Sequence, residues 1–177
     1  WLGRFGAVHE GRFSPINHHM GDLRERRHQQ PKLITPKHVL IHTFAHLLIN
    51  ELVYECGYGS ASLRERIYSS DGENPMSGVL IYTAAGDSEG TMGGLVRMGQ
   101  PGYLEAAVAK ALEKARWCSS DPVCIESRGQ GPDNCNLGAC HSCALLPETS
   151  CEEQNRLLDR GVVVGTIEHP DAGYFSV

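Results

Sequence analysis

The sequence predicts an α-rich α/β domain: a compact helical body around one long central helix, with a short sheet and a cysteine-ligated subregion. Three observations carry that prediction. Residues 36–55 are an apolar stretch of helical spacing, opened by Thr35-Pro36 and closed by Gly57. Residues 79–83, Val-Leu-Ile-Tyr-Thr, are a run of β-branched and aromatic side chains of strand length. Five cysteines (Cys118, Cys124, Cys140, Cys143 and Cys151) crowd into residues 118–151 at the intervals of metal ligands.

The long helix has both of its end signals. Thr35 is an N-cap residue, and Pro36 suits the first helical position because its missing N–H would be unpaired there anyway. Gly57 supplies the left-handed stop. Val39, Leu40, Phe44, Leu47, Leu48 and Leu52 cover most of the circumference, so the helix is packed from several directions. His42 and His46 are an i, i+4 pair on one face. A zinc-protease helix, H-E-x-x-H, needs its glutamate beside the first histidine, and Thr43 stands there instead. Structural, hydrogen-bonded histidines are expected, with a second metal site as the lesser alternative.

Residues 1–34 are rich in Gly, His and Arg without a clear apolar period, and read as an extended lead-in with a charged helical turn at 22–28. Between residues 21 and 37 the chain carries a local excess of three positive charges. Arg24, Arg26 and Arg27, with Arg64 further on, are the candidates for nucleic-acid contact. The competing reading is a solvated, salt-bridged surface. Residues 62–68, S-L-R-E-R-I-Y, read as a short helix, and 79–83 as a strand buried on both faces. Residues 101–117 form an amphipathic helix, with Tyr103, Leu104, Ala107, Val108, Ala111, Leu112 and Ala115 opposite Glu105, Lys110, Glu113, Lys114 and Arg116. It delivers Cys118 at its end. Ser150-Cys151-Glu152-Glu153 reads as a capping box opening a last helix that stops at Gly161. The division expected is a lead-in (1–34), a zinc-binding domain (35–161) and a tail (162–177) with one edge strand.

Cys140-His141-Ser142-Cys143 is a C-x2-C knuckle, whose tight turn aims two thiolates at one ion. Zn2+ takes four ligands in a tetrahedron, so two more donors are required. Cys124 with either Cys118 or Cys151 completes the set, so the ligands are four of these five cysteines. Cys135 reads as a bystander. Five local thiols close the shell and leave no position for water, which makes the zinc structural rather than catalytic. Buried, unlinked thiols and disulfides are the rivals. Disulfides suit secreted chains, and seven cysteines cannot all pair within one chain. With no secretory leader and no apolar run of membrane-spanning length, a reducing cytoplasm is expected. The formal net charge of -5 argues against uniform attraction to phosphate, so a nucleic-acid contact would need a local patch.

Gly86-x-Ser88-x-Gly90 formally matches the nucleophile elbow G-x-S-x-G between a strand and a helix. A triad would need an acid, Asp121 or Asp159, and then His169. The chain is short for that fold, has too few strands and lacks a second oxyanion-hole motif. A glycine-permitted turn is the preferred reading. A hydrolase built on Ser88 and a stand-alone DNA-binding module are the alternatives.

Taken jointly, several stretches are more specific than any of these motifs. They are H-V-L-I-H-T-F-A-H-L-L-I (38–49), S-L-R-E-R-I-Y (62–68), L-I-Y-T (80–83) with G-D-S-E-G-T-M-G-G-L (86–95), W-C-S-S-D-P-V-C (117–124), A-C-H-S-C-A-L-L-P-E-T-S-C-E (139–152) and N-R-L-L-D-R (155–160). Over residues 35–160 the chain resembles the zinc-binding domain that ends MrfA-like DEAD/DEAH-box DNA helicases. The resemblance is strongest to the form carried by DrmB-type proteins, the helicase-associated subunits of DISARM anti-phage systems. It implies a structural zinc site, a structural turn at 86–95 and no catalytic residue. It also implies a DEAD/DEAH-type helicase subunit and DNA as partners. No G-x-x-x-x-G-K-[ST] loop is present, so ATPase activity is expected on another domain or subunit.

Overall fold

The computed structural model of the chain describes residues 1–31, 33–84 and 93–176. Its central element is helix α2 (Pro36–Cys56). The Thr35 hydroxyl accepts the His38 N–H at 3.3 Å, and Gly57, at φ 68°, turns its own N–H back to the Val53 carbonyl. Both ends are thus closed by the residues that the sequence marks. The α2 side chains are buried almost continuously from His38 to Leu52. The remaining helices and the sheet pack around it.

The first helix departs from expectation. Residues 1–31 are not an extended lead-in: α1 runs Leu2–Arg26. Its buried residues are His9, Phe13, Ile16, Met20 and Leu23, a 4-3-4-3 spacing that lays one stripe against the core. Gly3, Gly6, Gly11, Gly21 and Pro15 all oppose a helix locally, and burial of the stripe outweighs them. Phe13, Ile16, Met20 and Leu23 join Val39, Leu40 and Leu47 of α2 in one cluster with Leu137, Leu157, Leu158 and Val162.

Residues 62–68 are not a helix either. Strand β1 (Leu63–Ser70) pairs antiparallel with β2 (Met76–Thr83), Leu63 opposite Thr83 and Ser70 opposite Met76. Among the described residues these two strands are the whole sheet. Leu63 and Glu65 of β1 face inward and Arg64 and Arg66 face solvent, the period-2 alternation of a half-buried strand. β2 is not buried on both faces. It is an edge, with Met76, Leu80 and Tyr82 each at least 40% exposed.

Helix α3 (Gly94–Met98) leads to α4 (Tyr103–Ala115), which buries Ala107, Ala111 and Ala115. After α4 the chain is held mainly by turns. The helix expected from Cys151 is absent: Cys151 has extended backbone after a 3₁₀ turn at Glu148–Ser150. The helical turn comes later, as α5 (Arg160–Val164), capped by Asp159. Among the described residues the tail forms no edge strand. It folds back through a 3₁₀ turn at Pro170–Ala172, with Tyr174 N–H on the Val162 carbonyl and Phe175 N–H on that of Val163. Among the described residues no helix is long and apolar enough to cross a membrane.

Candidate metal centre

Cys118, Cys124, Cys140 and Cys143 converge, their four sulfurs lying within 4.8 Å of one another. The S···S separations are 3.6 Å for Cys118–Cys140, 3.7 Å for Cys140–Cys143 and 3.8 Å for Cys124–Cys143. Four thiolates at about 2.3 Å from a tetrahedral zinc stand about 3.8 Å apart. Disulfide-bonded sulfurs would be only about 2.0 Å apart. The donors fit a zinc ion as they lie, and all seven cysteines are unlinked.

Each sulfur is placed by local backbone chemistry. Cys118 follows the end of α4. The Asp121 carboxylate accepts the N–H of Cys118 at 2.9 Å and of Ile125 at 3.0 Å, which closes residues 118–125 into a tight return. The knuckle is closed by Cys143 N–H and Ala144 N–H on the Cys140 carbonyl, at 3.1 and 3.0 Å. Its own Cys140 N–H points at the Cys143 sulfur, 3.2 Å away. The Ser120 N–H reaches Cys118 Sγ at 3.4 Å, and Gln130 Nε2 reaches Cys124 Sγ at 3.6 Å. N–H groups aimed at sulfur stabilise thiolates, the form that binds metal.

Behind the sulfurs lies Arg160, fully buried. It donates to the Ala115 carbonyl at 2.7 Å and to Asp121 at 2.6 Å, tying the end of α4 to the return that carries Cys118 and Cys124. Burial pulls its pKa down, but the Cys143 and Cys124 sulfurs and Asp121 outweigh burial and hold it above its ordinary value. The contact between the Cys124 and Cys143 sulfurs, helped by Arg160, lowers the Cys124 pKa to about 5 and raises that of Cys143. A tetrathiolate zinc carries a net charge of about −2, and a buried guanidinium offsets part of it. Arg160 is the residue that pattern reading missed; its only signal was an Asp-Arg pair set between the apolar Leu157-Leu158 and Val162-Val163-Val164.

Of the five candidate ligands, Cys151 is the one that lies outside this group. It is buried beside His42, His46 and Glu65 instead. Cys135 is fully buried in the core and belongs to neither group, and burial pushes its thiol up to about 11. Ser88 lies outside the described residues. Asp159, nominated as a triad acid, is fully buried and taken up by Arg12 (2.7 and 2.8 Å) and the N–H groups of Gly138 and Gly161. Asp121 is committed as described, and His169 is exposed. Three of the four candidate arginines share one element and the fourth comes from another. Arg24, Arg26 and Arg27 lie at the end of α1, where cations complement the helix dipole, and Arg64 projects from β1.

Fold and centre together define a small α-rich domain pinned by a four-sulfur zinc group. The family model of the MrfA Zn-binding domain matches residues 44–144, and the chain belongs to that family. The match takes in all four convergent cysteines and stops before Cys151. Zinc is therefore the ion of this domain. The chain is also 46% identical, over 139 residues, to the DISARM protein DrmB of Bacillus paralicheniformis. That alignment covers 78% of this chain and 24% of the relative, so the chain spans about a quarter of that protein's length.

Proposed function

We propose that this chain is a non-catalytic, zinc-stabilised module of a helicase-associated protein in bacterial anti-phage defence. Its ligands are Cys118, Cys124, Cys140 and Cys143. The observation that carries the reading is the convergence of four cysteine sulfurs at the spacing of zinc ligands. Four protein donors fill the coordination of zinc and leave no place for a reactive water, which is the mark of a structural site. What the ion holds is the junction between the end of α4 and the knuckle, where Arg160 and Asp121 lock the same segments from behind.

In this reading the module packs on a superfamily 2 helicase subunit and helps form its DNA path. The likeness to a DISARM protein supports it, and so does the surface. A groove of about 520 Å³ is lined by Leu40, Ile41, Phe44, Val79 and Phe175. A second groove shares Phe44 and Val79 and continues over Leu48, Ile81 and Leu104. Together they make an apolar strip along α2 and the Val79/Ile81 row of β2, of the kind that another subunit covers. The test is co-purification of the tagged chain with the helicases encoded beside it. A Val79→Glu/Leu104→Glu variant, with one change in the stretch shared by both grooves and one at the rim, is expected to release the helicase while keeping its zinc. Failure of the unmodified chain to retain any neighbouring helicase would overturn the proposal.

A further inference from the structure

A second convergent cluster lies away from the four cysteines. His42 and His46 stand one turn apart on α2, Glu65 comes from the inward row of β1, and Cys151 follows the 3₁₀ turn at Glu148–Ser150. The two histidines are 0% exposed, Glu65 2% and Cys151 7%. One donor atom from each lies within 4.8 Å of the other three. His42 Nε2 is 3.0 Å from Glu65 Oε1 and 3.2 Å from Cys151 Sγ, and His46 Nε2 is 3.4 Å from the same carboxylate oxygen. Around a tetrahedral ion with N and O at about 2.0–2.1 Å and S at about 2.3 Å, such edges measure about 3.3–3.6 Å. These three edges therefore lie within a few tenths of an ångström of those of a coordination shell.

Hydrogen bonds of good geometry satisfy only part of the cluster. Both Glu65 oxygens and His46 Nε2 are buried and have no hydrogen-bond partner. Among the described residues no lysine or arginine pairs with Glu65; its ion-pair contacts are the two imidazoles. A buried carboxylate without a permanent cation is costly, and a native fold retains one where something compensates it. His46 is oriented from behind, its Nδ1 lying 2.8 Å from the Ala144 carbonyl. That bond places the proton on Nδ1 and turns the Nε2 lone pair into the cluster, the usual arrangement of a ligating histidine. The Asn155 N–H points at Cys151 Sγ from 3.2 Å, as N–H groups do at the four-cysteine centre.

We propose that His42, His46, Glu65 and Cys151 form a second structural zinc site, which fastens the β1–β2 hairpin to α2. Two neutral imidazoles, one carboxylate and one thiolate leave a divalent ion electrically neutral, as suits a site closed to water. Four protein donors again leave no open position. The two centres are mechanically joined, because Ala144, which orients His46, follows Cys143 directly. His42 and Cys151 fall outside the family match at 44–144, so the site is not a feature of the matched stretch.

The test is zinc content with zinc-edge X-ray absorption on natively purified, chelator-free protein. Two zincs per chain are expected, with an averaged first shell of five sulfurs and three N/O donors over the two ions. Cys151→Ala should bind one zinc, and its shell should become all sulfur. Should that variant fail to fold, the shell of the unmodified protein decides alone. One zinc with an all-sulfur shell would overturn this site and leave the four-cysteine centre standing. One zinc with a mixed N/O/S shell would support it and remove the other. No zinc would remove both.

Discussion

Replacing Arg12 by methionine tests whether α1 is an integral part of the domain. The Asp159 carboxylate is fully buried and accepts four hydrogen bonds: two from Arg12, at 2.7 and 2.8 Å, and one each from Gly138 and Gly161. The Arg12 guanidinium also donates to the Ile125 carbonyl at 2.7 Å, so that one side chain joins α1, the 118–125 return and the start of α5. Gly138 makes the approach possible, since a Cβ there would stand 2.9 Å from the Asp159 oxygen. In Arg12→Met the two backbone donors remain but the charge loses its cation. Breaking a buried pair from one side costs about 3–5 kcal/mol. Arg12 is 12% exposed, so water can enter at its edge, and the lower end, about 3 kcal/mol, is expected. For a chain of this size that lowers the thermal midpoint by about 6–12 °C. The assay is urea unfolding at saturating zinc for Arg12→Met, Asp159→Asn and the double variant. The double variant should cost less than the sum of the singles by about 1.5 kcal/mol or more, because neutralising Asp159 removes the uncompensated charge. A cost below about 1 kcal/mol for Arg12→Met, or strict additivity, would refute the reasoning.

Three further outcomes follow from the same structure. Chelating the zinc should expose the amides of residues 118–144 to hydrogen exchange while α1 and the first turns of α2 stay protected, because the apolar cluster that holds them does not need the ion; uniform loss of protection would contradict this. Thr35→Ala should cost about 1 kcal/mol in urea unfolding, since the His38 N–H loses its cap, and Thr35→Ser should restore it. His9 is buried with Nε2 3.0 Å from the Ala172 carbonyl, and burial lowers its pKa from the ordinary 6.5. The unfolded chain therefore takes up the His9 proton first as pH falls. The His9 contribution is complete above about pH 6.5 and is lost below it, at no more than about 1.4 kcal/mol per pH unit. Comparing urea midpoints of the unmodified chain and His9→Phe from pH 8 to pH 5 isolates that slope, and parallel curves would contradict it.

The parts of the fold that were legible in sequence are those where a local rule and the tertiary environment agree. Thr35-Pro36 and Gly57 bound α2 because capping is decided within one turn of chain, and 101–117 shows its stripe openly. Where the two disagree, the sequence misleads. In α1 the stripe from His9 to Leu23 is regular, but it lies among glycines and a proline, and one of its members is a histidine. In β1 the inward row is Leu63, Glu65 and Ile67; a buried glutamate reads as a solvent-facing residue and breaks the alternation. The residue that hid the strand is the one that the second cluster needs. For the centre, spacing identified the knuckle and Cys124 but could not separate Cys118 from Cys151. That choice depends on how the chain from 146 to 159 returns, and Asn155 decides it from a distance. Its side chain brackets Leu146 with bonds to N–H and carbonyl at 2.9 and 2.6 Å, which carries Cys151 toward His42.

The most direct test of the central claim is anomalous diffraction at the zinc edge from crystals of the unmodified protein. The account predicts a peak about 2.3 Å from each of the sulfurs of Cys118, Cys124, Cys140 and Cys143. No peak among those four sulfurs, or one whose shell includes Cys151 in place of Cys118, would contradict it.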